Sequence, residues 1–220
     1  IGDINGIGIE ILINVFKKNK ERNFVLFTNI EIFKKFKIKN NIKLQINQIN
    51  INNNKYIFKK NLFNVYSYDA ISNEENTIKS LDKSYIECVN GNFIGIVTLP
   101  LRKDLIIEKI NSKFIGHTEY FQKLDNKNNS NMILISKNLI VSPITTHIKL
   151  VSVINKLKKH NYLYNQIFNL NEILKNDFNI RKPRLIISGL NPHAGENGKI
   201  GFEEKNIIIP AVRKLKNNNI

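Results

Sequence analysis

Cysteine, methionine and tryptophan are almost absent from this 220-residue chain, which has one Cys, one Met and no Trp. Cys88 therefore has no partner for an internal disulfide, and the chain is not a disulfide-rich secreted domain. Long hydrophobic runs are also missing, since none reaches the roughly 18 residues that predict a membrane span. No basic segment leads into an apolar stretch at the N-terminus, as it would in a signal peptide. We therefore expect a soluble cytoplasmic protein with no membrane partner.

Acidic residues are scarce as well. The chain has 18 Asp and Glu against 34 Lys and Arg, a formal net charge of +16. Such an excess is typical of nucleic-acid-binding proteins. Here, however, the charge comes mostly from lysines spread along the whole chain, whereas arginine is expected to dominate base and phosphate recognition. A basic nucleic-acid-binding module is therefore kept only as the less favoured alternative. The electrostatic field of the positive charge would also attract an acidic or phosphorylated small substrate.

The hydrophobic pattern predicts the fold class. Short apolar runs at residues 24–28, 93–98 and 184–188 predict buried strands, and residues 132–135 and 139–141 predict a strand pair. Segments of helical spacing alternate with these runs, and residues 39–64 predict only an edge strand and a loop. The alternation predicts an α/β fold with a mainly parallel sheet.

A polar loop at residues 189–198 follows one of these apolar runs. It contains three glycines and a proline, and it supplies Asn191, His193 and Glu196. Glycine and proline at this density predict a sharp turn. Because ligands of open α/β sheets bind beyond the carboxyl ends of the strands, His193 is a candidate for chemistry. The alternative is a turn whose histidine is merely exposed.

Two further histidines occupy similar places in the sequence. His147 ends a polar loop after the predicted strand pair, and His117 follows Gly116 where a helix is expected to begin. Free amides at a helix start favour an anion, although Thr118 also has the chemistry of a simple N-cap. His147 and His193 alone give a divalent metal too few ligands, so the residue pattern leaves a metal site open.

Four segments, in this order along the chain, resemble the 4-hydroxythreonine-4-phosphate dehydrogenase family of vitamin B6 biosynthesis. They are Gly2-Asp3-x-x-Gly6-Ile7-Gly8-x-Glu10, Gly116-His117-Thr118-Glu119-Tyr120-Phe121, Thr145-Thr146-His147 and Gly189-Leu190-Asn191-Pro192-His193-Ala194-Gly195-Glu196. The resemblance spans essentially the whole chain. It implies a two-domain α/β/α sandwich like that of isocitrate and isopropylmalate dehydrogenases, with residues 1–108 in the first domain and residues 109–220 in a second, dimer-forming domain.

The resemblance also implies roles for individual residues. His117 and Thr118 match the family's substrate-binding pair, and His147 and His193 match two of its three metal-binding histidines. The third histidine comes from the partner subunit of a homodimer, in a later segment that this chain does not contain. Because that segment is missing, we expect the chain to be truncated at the C-terminus. Because the chain opens directly in a loop, we expect truncation at the N-terminus as well. We expect the chain to be inactive on its own.

The implied activity is the oxidation of 4-phosphooxy-L-threonine with NAD and a divalent metal (Zn, Mg or Co), followed by decarboxylation to 3-amino-2-oxopropyl phosphate, in pyridoxal phosphate biosynthesis. Two alternatives stay open: a related dehydrogenase of a four-carbon sugar-acid phosphate, and a truncated remnant that folds without catalysing. One departure from the family is Leu99, which stands before Pro100 where glycine is usual.

Overall fold

A computed structural model describes residues 1–19, 23–49, 51–52 and 55–220. They form two compact units, Ile1–Asp125 and Asn126–Ile220. The first unit contains α1 (Ile7–Lys18), β1 (Leu26–Phe27), α2 (Ile30–Lys39), β2 (Ile46–Gln48), β3 (Ile51–Asn52), β4 (Lys55–Tyr56), β5 (Phe63–Tyr66), α3 (Asn73–Val89), α4 (Lys103–Lys109) and α5 (His117–Leu124). The domain boundary predicted after residue 108 falls inside α4, and the division of the protein into domains at that point stays a prediction.

The second unit begins with a hairpin of β6 (Leu134–Ile135) and β7 (Ile140–Val141). A 3₁₀ turn (Leu150–Ser152), α6 (Val153–Leu157) and α7 (Tyr162–Asn176) follow. A second 3₁₀ segment (Ala194–Gly198) and a π-helical turn (Glu204–Ile208) then lead into α8 (Ile209–Asn217). The strand pair predicted at residues 132–141 is confirmed.

A parallel three-stranded sheet forms the centre of the first unit, with strand order β1-β5-β2. The predicted parallel sheet and the edge strand predicted within residues 39–64 are thereby confirmed, while residues 50, 53 and 54 of that stretch lie outside the described residues. Phe63 of β5 is fully buried, and its ring lies 5.2 Å from Phe16, 5.4 Å from Phe24 and 5.6 Å from Phe33. This aromatic cluster packs α1 and α2 against the sheet.

Side-chain caps set the start of two helices in this unit. Asn29 accepts hydrogen bonds from the first-turn amides of α2, and Ser72 accepts one from Glu75 N at the start of α3. Asn76 of α3, almost fully buried, accepts from Asn29 N at 2.7 Å and donates to Thr28 Oγ1 at 3.0 Å. The end of β1 and the starts of α2 and α3 are therefore joined by one buried polar network.

Two predicted strands are wrong. Residues 93–98 and 184–188 belong to no strand of the described chain. Ile94 and Val97 are exposed, as is Ile186, while Leu185 and Ile187 pack on the core of the second unit. At residues 184–188 the apolar pattern was correct in marking a segment with one face toward the core. A strand also needs a neighbour for its backbone hydrogen bonds, and an apolar run does not specify one.

The core of the second unit lies between α7 and the C-terminal helical segment. Leu163 and Ile167 of α7 are buried together with Ile208 and Leu215. The helical spacing predicted for residues 162–178 is thus confirmed. None of the helices that the structure describes has the length and apolarity needed to cross a bilayer.

Candidate functional site

The opening loop of the first unit, residues 1–6, is fixed to α3 by hydroxyl groups. Thr77 Oγ1 donates to Gly2 O at 3.0 Å, and Ser80 Oγ donates to Ile1 O at 2.9 Å. Both hydroxyls belong to buried residues. The loop is therefore part of the packed structure of this unit, and the start of α1 follows directly from it.

A second loop, containing Leu99 and Pro100, packs against this opening loop. Asp3 N donates to Pro100 O at 2.8 Å. A Cβ atom at Gly2 would lie 2.1 Å from Pro100 O and 2.6 Å from Leu99 O, so only glycine permits the approach. The leucine at position 99, where the resembling family has glycine, leaves this contact in place.

His117 and Thr118 are the first two residues of α5. The predicted helix start is confirmed, but Thr118 is not the N-cap, because Gly116 occupies that position and offers no side chain to the first-turn amides. The alternative in which Thr118 is a simple N-cap is therefore wrong, since the N-cap lies two positions earlier. The cap is a glycine whose close neighbours are Glu119 and Lys103, each within 4 Å of a Cβ atom placed there.

The environment of His117 favours a neutral imidazole. Its side chain is half-buried, and the loss of solvation lowers its pKa below the usual 6.5, with a further lowering by the charge of Lys103. Lys103 is the first residue of α4, where a lysine has two readings, either solvated or placed to steady an anion. Its proximity to Gly116 brings a cation to the start of α5, which favours the second reading.

A small cleft of about 20 Å³ lies beside these loops in the first unit, lined by residues that include Asp3, Glu74, Thr77 and Arg102. Arg102 pairs with Asp104, and Glu74 pairs with Lys109 at 3.0 Å. Two of its charged groups, Arg102 and Glu74, therefore already have ion-pair partners.

In the second unit, residues 189–198 form the sharp turn that the glycines predicted. Five consecutive residues, Ala194–Gly198, have positive φ angles between 43° and 99°. The buried Gly195 needs to be glycine, since a Cβ atom there would lie 2.6 Å from Gly201 O. Glu204, itself buried at the start of the π-helical turn, accepts a hydrogen bond from Leu190 N at 3.0 Å and fixes the start of the loop. The role of Glu204 was not predicted, and no local sequence signal connects it to residue 190.

His193 projects from this loop with its imidazole exposed. Its backbone N–H is accepted by Asn191 Oδ1 at 2.9 Å, and its Nδ1 lies 3.0 Å from Glu196 Oε1. A carboxylate on one imidazole nitrogen is the usual surrounding of a metal-binding histidine, because it orients the ring and leaves the other nitrogen to the metal. Glu196 is the one carboxylate in residues 189–198, and the sequence alone assigns it no role. Its position three residues after His193 was the available signal.

His147 lies on a separate loop of the same unit, and it too has a positive φ, 55°. The loop before it is held by Ser142 Oγ, which donates to Met132 O at 2.9 Å, and by Tyr162 OH, which donates to Ile144 O at 2.8 Å. His147 itself is exposed. A positive φ is uncommon in residues other than glycine, although histidine, like asparagine and aspartate, adopts it more often than most, and such conformations often occur at functional sites.

The four predicted residues thus divide between the two units. His117 and Thr118 are adjacent in the first, and His147 and His193 are exposed on two loops of the second. Across the described ranges, no group of three or more His, Cys, Asp or Glu side chains is placed to hold a metal ion. Two imidazoles, one already oriented by a carboxylate, suit a divalent cation but do not complete its coordination.

The chain is similar to a known protein family over most of its length. Residues 17–220 match the family described as Pyridoxal phosphate biosynthetic protein PdxA. The chain is 33% identical over 228 residues to a 4-hydroxythreonine-4-phosphate dehydrogenase of Sulfurihydrogenibium sp. (strain YO3AOP1), an alignment that covers 100% of this chain and 70% of that protein. It is 31% identical over 225 residues to one from Wigglesworthia glossinidia brevipalpis, covering 98% of this chain and 67% of that protein.

Solved structures show the same fold. The chain matches the crystal structure of a 4-hydroxythreonine-4-phosphate dehydrogenase from Klebsiella pneumoniae with a TM-score of 0.82 and 24% identity, covering 100% of this chain and 71% of that one. The match to the enzyme from Burkholderia phymatum has a TM-score of 0.76 and 22% identity, covering 100% and 70%. At these identities the likeness shows the fold, and it confirms the predicted α/β class.

Proposed function

Because the chain belongs to the PdxA family of pyridoxal phosphate biosynthetic proteins, we propose that it oxidises 4-phosphooxy-L-threonine, with NAD as oxidant and a divalent metal as cofactor. The hydroxyl-bearing carbon gives a hydride to NAD⁺ and the hydroxyl gives up its proton. The resulting β-keto acid then loses CO₂ to leave 3-amino-2-oxopropyl phosphate. The observation that carries the proposal is the exposed His193. Its Nδ1 contacts the carboxylate of Glu196, which leaves Nε2 for a ligand.

His147 and His193 are the residues of this chain that would hold the cation. Both are exposed on loops of the second unit, and imidazole nitrogen suits Zn, Co and related ions. When bound, the cation supplies Lewis acidity, which lowers the pKa of the substrate hydroxyl. A third ligand from the partner subunit of a homodimer is part of the proposal, since two histidines leave the coordination incomplete.

The start of α5 is the proposed substrate-binding element. Its first-turn amides lack a side-chain cap, and Lys103 brings positive charge to Gly116. Both features favour an anionic group of the substrate. Because its pKa is lowered, His117 is neutral near pH 7 and can donate one hydrogen bond while accepting another. The carboxylate of Glu119 also lies close to Gly116 and opposes the anion, so the balance between Glu119 and Lys103 sets the affinity.

The metal assignment is tested by replacing each histidine with alanine in the full-length protein. We expect H147A and H193A each to weaken cation binding by at least the roughly 10–100-fold that loss of an outer-shell partner costs, and to lower activity in parallel. The matched control is H160A, which removes another exposed histidine of the same unit. Unchanged metal content in both H147A and H193A would overturn the assignment.

The substrate assignment is tested with the double variant H117A/T118A. We expect KM for the phosphorylated hydroxy acid to rise about 10-fold or more, which corresponds to about 1.4 kcal/mol, while metal content and nucleotide binding stay unchanged. Loss of metal would instead place His117 among the metal ligands, and no kinetic effect would leave both residues a purely structural role. A preference of the wild type for a four-carbon sugar-acid phosphate would reassign the substrate.

A further inference from the structure

The contact between His193 and Glu196 determines which imidazole nitrogen carries the proton. An ionised carboxylate can only accept a hydrogen bond. With Nδ1 of His193 at 3.0 Å from Glu196 Oε1, Nδ1 must therefore be the donor. In the neutral ring the lone pair then lies on Nε2. In free histidine both tautomers are available, so the carboxylate selects one of them.

The backbone at Glu196 has a conformation that is unusual for glutamate. Glu196 has φ 43° and ψ 53°, in the left-handed region that is unfavourable for a residue with a Cβ. Glycine would adopt this conformation without that cost. A strained residue whose side chain reaches a functional histidine is typical of a site in which function maintains the strain.

We propose that Glu196 is a positioning residue, which holds His193 as the Nδ1–H tautomer so that Nε2 is presented to the cation; the inference rests on the proposed metal-binding role of His193. The carboxylate also orients the imidazole ring, which favours binding of a cation at the other nitrogen. Glu196 itself touches neither metal nor substrate in this arrangement. Its effect passes through the ring of His193.

The tautomer is measured directly, in metal-free protein, by long-range ¹H–¹⁵N NMR of the His193 ring at a pH where imidazole is neutral. We expect the Nδ1–H form in the wild type and a shift to Nε2–H in E196A. Assignment of the signals comes from their loss in H193Q. An Nε2–H ring in the wild type, or the same tautomer in both proteins, would overturn the proposal.

Cation affinity and stability provide a second pair of measurements, with A194G as the matched control. Ala194 has φ 45° in the same loop, so glycine relieves backbone strain there as it does at position 196. We expect both A194G and E196G to unfold at higher denaturant concentration than the wild type. Only E196G should also bind Co²⁺ or Zn²⁺ more weakly, by about 10-fold. This is near the lower end of the effects seen on loss of an outer-shell partner, because the side chains of His193 and Glu196 are both about half exposed.

These measurements separate the two proposals. A wild type that binds no cation contradicts the proposed function, and the tautomer measurement still decides whether Glu196 positions His193. If the wild type binds the cation and H193A does not, the metal assignment stands, and equal affinity in E196G and A194G then refutes the role of Glu196 alone.

Discussion

The substitution G195A tests whether the loop that carries His193 is fixed by close packing. Gly195 is buried with φ 76°, and a Cβ atom there would lie 2.6 Å from Gly201 O and 3.0 Å from Glu204 Oε2. The first neighbour is a backbone atom and cannot turn away. Alanine at this position therefore meets both an unfavourable conformation and an overlap.

The chain offers a matched control in Gly91, just after α3. Its φ is 75°, nearly that of Gly195, and nothing lies within 4 Å of the position that a Cβ would take. We expect G91A to destabilise its unit by about 1 kcal/mol, the conformational cost alone. For G195A the overlap adds about 1–3 kcal/mol, as for other overpacked sites, which gives about 2–4 kcal/mol. Effects of a lost glycine on the unfolded chain are common to both variants and cancel in the comparison.

Urea denaturation monitored by native-state hydrogen exchange measures the change in the free energy of unfolding of the unit that contains each substitution. Cation binding provides the functional readout, because Gly195 lies two residues from His193: we expect it to weaken in G195A and to stay unchanged in G91A. Equal losses of stability in the two variants would refute the packing argument. Normal cation binding in a destabilised G195A would show that the loop tolerates the shift.

Three further predictions concern the first unit. The pKa of His117 is lowered in the folded state, so the unfolded chain binds more protons below pH 6.5. The free energy of unfolding should therefore fall as the pH drops from about 6.5. Denaturation curves of H117Q should show a weaker dependence of this free energy on pH. N76A removes two hydrogen bonds of a buried side chain and leaves Asn29 N without its acceptor, so it should cost about 2–4 kcal/mol in urea denaturation. The control E31Q removes only the exposed ion pair between Glu31 and Lys34 and should cost less than about 1 kcal/mol. F63A removes the centre of the aromatic cluster and should cost about 3–5 kcal/mol, with a value below 1 kcal/mol showing that the cluster contributes little.

Helix boundaries were the part of the fold most accessible from sequence. Signals such as Gly116, which predicted the start of α5, mark them. These signals are local, since a cap or a left-handed terminal residue depends on atoms within about one turn. Thr118 shows the limit of such signals: it is a capping residue type, but the N-cap lies two positions earlier, at Gly116, which has no side chain to accept a hydrogen bond.

The two wrong strands show what a local pattern leaves open. An apolar run states that the chain is extended with a buried face, and Leu185 and Ile187 do bury that face. Whether a ladder forms depends on a second segment at the right distance and direction. That information lies elsewhere in the sequence, in contacts that no window around residues 93–98 or 184–188 contains.

For the candidate site, the sequence by itself determined the residue types and their local setting: His117 where a helix begins, His147 and His193 in polar loops, and a tight turn around Gly195. Only the tertiary structure decided the arrangement around them. Glu204 reaches back to Leu190, a residue 14 positions earlier, and the run of left-handed residues turns Glu196 onto the ring of His193. Residue types fix donors, acceptors and charges, whereas the distances between them depend on how distant segments pack, because the free energy of that packing is shared among residues far apart in the chain.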